Sequence, residues 1–158
     1  MLANFLRKHA GDVGLARVLF NWYAPFVGAA IRITESSKDY RYIRVEMPLT
    51  WYNANYVGVQ FGGGIYMMTD PFFMLMYLRN LGNEYLVWDK AAHIEFIKPG
   101  RRRLIAEFRL SEDDLNRVRS ETADGQKHLV DREVLIHDDE GTLIAKVVKT
   151  IYVRKKKS

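Results

Sequence analysis

One stretch constrains this chain more than any other. Asn55 to Arg79 reads NYVGVQFGGGIYMMTDPFFMLMYLR, a glycine-rich entry (Gly58, then Gly62, Gly63 and Gly64) that runs into a nearly unbroken apolar segment. A helix that is apolar on every side belongs inside a domain rather than on its surface. Successive glycines at a helix start each cost about 0.8–1 kcal/mol against alanine. They therefore mark a place where a backbone or a ligand comes close. Bare N–H groups at such an end attract negative charge. Asp70 is the one acidic side chain inside the apolar run. A carboxylate there is either a costly accident or a reactive group. Asp-Pro is also an ordinary helix start. Asp70-Pro71 thus admits two local readings: a broken helix whose second half Asp70 caps, or a continuous helix kinked at Pro71 that frees the carbonyl of Met67.

The elements around this stretch follow from periodicity. Residues 1–22 predict one helix or two short ones, with Leu2, Phe5 and Leu6 on a small apolar face and Asp12 placed to cap a second piece. Pro25 is expected to end the helical region, with strand character from Val27. Tyr40–Met47 alternates as a strand should, with Ile43, Val45 and Met47 on one face. Tyr85–Ile97 predicts a long strand, Lys98-Pro99-Gly100 a turn and Arg103–Leu110 the returning strand. Ser111 and Asp114 have capping-box spacing at the head of a short helix. Residues 127–137 and 142–153 predict a hairpin across Asp138–Gly141. Strands gathered around one buried helix give an α+β domain with an antiparallel sheet. A single sheet leaves one side of an all-apolar helix uncovered, which predicts a C2 dimer.

Composition narrows the class. At 158 residues the chain fits a single domain, residues 1–158, with a helical extension at 1–25 and a basic tail at 154–158. The absence of cysteine excludes disulfides and thiolate chemistry and fits a cytoplasmic protein. The N-terminus lacks the basic-then-apolar order of a signal peptide. The most apolar window is broken by glycines, Asp70 and Pro71, so no transmembrane segment is expected. The four histidines, at positions 9, 93, 128 and 137, have no metal-ligand spacing, and no metal is expected. The net charge of +5 gathers partly at Arg101–Arg103 and at the C-terminus. Such clusters are ordinary solvated turns and tails, or else contacts to phosphates or an anionic surface. No nucleic-acid-binding motif is present, and no nucleic-acid partner is expected.

The central stretch resembles the phenylacetate-pathway type of hotdog acyl-CoA thioesterase. Those proteins carry Asn-x-x-Gly-x-x-His-Gly-Gly and then an Asp on the following helix. Here Asn55, Gly58, Gly62, Gly63 and Asp70 fall on those positions, and Phe61 stands where the family has histidine. The chain is also similar to an uncharacterised, domain-of-unknown-function branch of the superfamily in which QFGG is usual. The resemblance implies a hotdog fold, a curved antiparallel sheet wrapped around a long central helix, here with an extra N-terminal helix. It implies hydrolysis of an acyl-CoA thioester by water, with Asp70 as general base or nucleophile. The amides of Gly62 and Gly63 would hold the oxyanion, and Asn55 would orient water or thioester. Gly58, Phe61 and Gly64 would line the substrate site, and Lys98, Arg101, Arg102 and Arg103 would meet the phosphates of coenzyme A. Coenzyme A enters as part of the substrate, and no separate cofactor is implied. The site would form between two subunits of a homodimer, with a tetramer of such dimers as the alternative.

Plainer readings stand beside these. Gly62–Gly64 can be close helix–sheet packing, Asn53 and Asn55 loop residues bonding their own backbone, and the methionine and phenylalanine run core. The loss of the family's histidine equally suits a non-catalytic hotdog protein that binds acyl-CoA or lipid.

Overall fold

A computed structural model describes residues 13–156. The expected Asp12 cap, the Leu2–Leu6 face and the last two residues of the basic tail lie outside them. Two helices open the described chain, α1 (Val13–Asn21) and α2 (Ala24–Ala29), followed by β1 (Arg32–Ser36) and β2 (Tyr42–Met47). The central helical segment comes next as α3 (Gly62–Met67) and α4 (Phe72–Leu81). After it come β3 (Tyr85–Phe96), β4 (Leu104–Arg109), α5 (Glu112–Glu121), β5 (Lys127–Asp138) and β6 (Leu143–Lys155). The strands form one six-stranded antiparallel sheet in the order β1-β2-β4-β5-β6-β3. This is the hotdog fold: a curved sheet wrapped around the segment from Gly62 to Leu81.

Burial explains the wrapping. Phe72, Phe73, Met76, Tyr77 and Leu81 of α4 are buried against Val45, Phe108, Val147 and Ile151 of the sheet. Phe72 and Phe73 pack on Phe108 with ring centres 5.0 and 5.1 Å away. Leu78 alone among the apolar α4 side chains is exposed. The Ser111 box forms as its spacing predicts: its hydroxyl accepts from the Asp114 amide, and Asp114 accepts from the Ser111 amide.

Two expectations change. Pro25 opens a helix instead of ending one, since it occupies the first turn of α2, where its missing N–H costs nothing. The strand pattern therefore begins at Arg32 rather than near Val27. At the centre, the helix is broken rather than kinked, and Asp70 does not cap its second half. Pro71 holds the N-cap position without a side-chain cap bond. The Asp70-Pro71 peptide is cis, and the Met67 carbonyl accepts the Asp70 amide at 3.1 Å.

Candidate active site

The loop ahead of α3 is tied down by its own amides. Asn55 Oδ1 accepts from the amides of Val57 and Val59, at 3.1 and 3.2 Å, and Gly58 closes the turn at a positive φ of 76°. That φ suits glycine and strains other residues. The neighbouring Asn53 is buried and fully used. Its amide nitrogen donates to the carbonyls of Ala29 and Pro48, and its oxygen accepts from the amide and hydroxyl of Thr50. Gln60 is buried as well and donates to the carbonyls of Met47 and Arg102. Both contacts are acceptors, which fixes the orientation of its amide group.

This loop delivers Phe61 to the N-cap of α3 with no side-chain cap, so the first amides of the helix, at Gly62 and Gly63, have no partner of that kind. Gly62 lines a groove of about 350 Å³ together with Asn55, Phe96, Ile97 and Lys98, among others, and Gly63 does not line it. A β-carbon at Gly62 would stand 3.1 Å from Cζ of Phe96. A β-carbon at Gly63 would collide with the Phe61 ring, which lies over that glycine. A second cleft of about 300 Å³, on the other side of the loop, is lined by Tyr52, Phe61, Gly64 and Met67, among others. The structure thus brings Asn55, Gly62 and Lys98 to one groove, and Phe61 and Gly64 to its neighbour.

The arginines are differently engaged. Arg102 pairs with Asp139 and Glu140, at 2.6 and 2.9 Å, and Arg103 reaches Glu46 at 3.5 Å. Arg101 is exposed beside them.

Asp70 lies apart from both grooves within one chain. Its Oδ1 accepts a hydrogen bond from Lys149 Nζ at 2.7 Å. Its side chain keeps 46% exposure, while that of Lys149 keeps 1%. Lys149 Nζ also lies 3.5 Å from Oδ2 of Asp89 and 5.3 Å from the centre of the Tyr66 ring. Burial pulls the Lys149 ammonium down, but the bond it donates to Asp70 and the charge of Asp89 outweigh it, so its pKa is raised. Burial pushes Asp89 up to about 6; Lys149 opposes that rise and nearby Asp70 adds to it. Neither Lys149 nor Asp89 belongs to a motif. The signal for Lys149 is its register: Val147, Lys149, Ile151 and Val153 share the inward face of β6, and a lysine in such a row needs a carboxylate opposite.

Among the described residues, no group of three or more His, Asp or Glu could hold a metal ion. No helix among them is long and apolar enough to cross a membrane.

A family model described as Domain of unknown function (DUF4442) matches residues 11–153. No curated protein matches the sequence significantly. Among solved structures, a Pseudomonas aeruginosa protein of unknown function, described as a probable thioesterase, superposes with a TM-score of 0.80 at 20% identity, covering 92% of this chain and 97% of its own. Thioesterase HI1161 from Haemophilus influenzae superposes with a TM-score of 0.61 at 14% identity, covering 87% of each chain. A Chlorobaculum tepidum protein of unknown function gives 0.70 at 16% identity, covering 89% of this chain and 92% of its own.

Proposed function

The chain belongs to the DUF4442 family, and on that footing we propose that it is an acyl-CoA thioesterase in which water attacks the thioester carbonyl. One observation carries this reading. The uncapped Gly62 at the head of α3 lines a groove that also holds an amide side chain, Asn55, an apolar wall, Phe96 and Ile97, and a cation, Lys98. These are the parts an acyl-CoA needs. Amides meet the developing oxyanion, the wall takes the acyl group, and the lysine faces phosphate. Solved relatives of this fold that are described as thioesterases support the same class.

The chemistry runs in two steps. Water forms a C–O bond to the carbonyl carbon while Asp70 takes one of its protons, and the carbonyl oxygen becomes an oxyanion held by Gly62 and Gly63. The C–S bond then breaks, and the departing thiolate takes the proton from Asp70. In a nucleophilic variant the Asp70 carboxylate attacks first and water hydrolyses the resulting anhydride. Because Asp70 lies apart from the grooves of its own chain, this reading pairs it with the glycine loop of a second subunit in a C2 dimer. The exposed apolar side chains around the groove, Tyr56, Val57, Phe61 and Phe96, support such a partner.

The test is thiol release from a panel of aryl- and fatty acyl-CoA esters by the purified protein. Turnover of at least one ester is the expected result. A second reading, a binding protein without turnover, is favoured by the Phe61 ring over Gly63, which leaves an apolar group where the family places histidine. Calorimetric binding of a non-hydrolysable acyl-CoA with an inert panel would select it. Neither binding nor turnover would end both readings.

Gly62→Ala probes the groove directly. Alanine gains about 1 kcal/mol of helix propensity, while its methyl group pushes on the exposed Phe96 ring. We expect a melting temperature within a few degrees of the parent and a KM raised about tenfold, the cost of displacing one groove wall by roughly 1.4 kcal/mol. An unchanged KM would remove Gly62 from the binding surface.

A further inference from the structure

Lys149 is a charged side chain with no exposure to speak of, placed between two carboxylates from different elements. Asp70 comes from the turn between α3 and α4, Asp89 from β3 beside a bulge, and Lys149 from β6. Tyr66 of α3 puts its ring over the ammonium. The other charged neighbour on this face, Arg132 of β5, stands across from Lys149 in the sheet but is held by Asp114 at 2.6 Å and by the Arg109 carbonyl at 2.9 Å. From α4, Tyr77 faces Arg132 and Asp114 rather than Lys149. The next charge along β3, Lys90, is exposed. One ammonium therefore serves two carboxylates, and Oδ1 of Asp89 is buried without a hydrogen-bond donor.

We infer that Asp89 and Lys149 are positioning residues for Asp70: the lysine fixes one oxygen of the Asp70 carboxylate, and Asp89, drawing on the same ammonium, sets the charge beside it. The inference rests on the reading of Asp70 as the group that acts on water. A buried oxygen without a donor is relieved by a proton, and burial pushes Asp89 up to about 6. With Asp89 protonated, the Lys149 charge belongs to Asp70 alone. With Asp89 ionised, that charge is divided, and the exposed side of Asp70 faces water with more negative potential. The unit thus switches Asp70 on as Asp89 gives up its proton and competes for the same ammonium.

Asp89 is followed through its carboxyl carbon by NMR titration in the parent protein, in Asp70→Asn and in Lys149→Met, and the pH profile of kcat is recorded for the parent and Asp89→Asn. Asp70→Asn should lower the Asp89 midpoint by about 1 pH unit, by removing a like charge, and Lys149→Met should raise it by at least as much. In the kcat profile, Asp89→Asn should erase the rise near pH 6, whereas a merely structural role would lower kcat alike at every pH. An Asp89 midpoint indifferent to both substitutions overturns the inference, as does an unchanged kcat profile in Asp89→Asn. If the midpoints move and no ester is hydrolysed, the coupled unit stands and the thioesterase reading falls.

Discussion

Asp70→Asn is expected to lower kcat for acyl-CoA hydrolysis by about 10²–10⁴-fold, the usual contribution of a positioned general base. The effect should fall on kcat, because a base that takes a proton from the attacking water acts in the transition state rather than on the bound ester. Asparagine is nearly isosteric and keeps an oxygen that can accept from Lys149, so the 2.7 Å bond has a successor. With 46% of the Asp70 side chain exposed, the fold should survive the loss of its charge, and the melting temperature should move by only a few degrees. Steady-state kinetics beside thermal melts separate the two effects. A kcat within threefold of the parent would take the acid–base role away from Asp70. A collapse in stability would mean that the turn at Asp70-Pro71 is held chiefly by this carboxylate.

How much of this is legible in the sequence depends on whether a signal is local. The Ser111–Asp114 box and the alternation of Leu104, Ala106 and Phe108 depend on neighbours within a few residues, and both are seen as the spacing predicts. Proline misled once because it both stops and starts helices. At Pro25 the deciding fact is the α2 turn that follows it, which no single-residue preference contains. Asp70-Pro71 was ambiguous for a similar reason, since a cap, a kink and a break share one dipeptide. The glycine run was legible as a close approach but not as to what approaches. The aromatic rings of Phe61 and Phe96 come to it from the adjacent residue and from the far end of β3. Lys149 is not singled out by the sequence, because its partner Asp70 is 79 residues away in the chain. Only the inward register of β6 pointed to it, and register says that a charge must be met without saying by which carboxylate.

Lys149→Met should destabilise the protein by about 2–4 kcal/mol near pH 7.5, somewhat below the range for breaking a fully buried pair, because Asp70 stays half in water. The methionine fills the space, so the loss is electrostatic: Asp89, with only 21% of its side chain exposed, would lose the charge that opposes its rise. The sign with pH follows from linkage. Asp89 holds its proton more tightly in the folded chain, pushed up to about 6 from an ordinary 3.8. Its contribution to stability is therefore complete below about 4 and lost as pH climbs through about 6. Lys149 is also raised, so its contribution holds at neutral pH and is lost only above the ordinary lysine range. In the variant the lysine contribution is absent and Asp89 titrates higher still, so acid should recover much of the deficit. At pH 5, where Asp89 is neutral in both proteins, the difference should shrink to about 1 kcal/mol, the worth of one half-exposed ion pair. Urea unfolding of both proteins at the two pH values measures this. A deficit of equal size at pH 5 and pH 7.5 would mean that Lys149 acts through packing alone and that the two carboxylates do not compete for its charge.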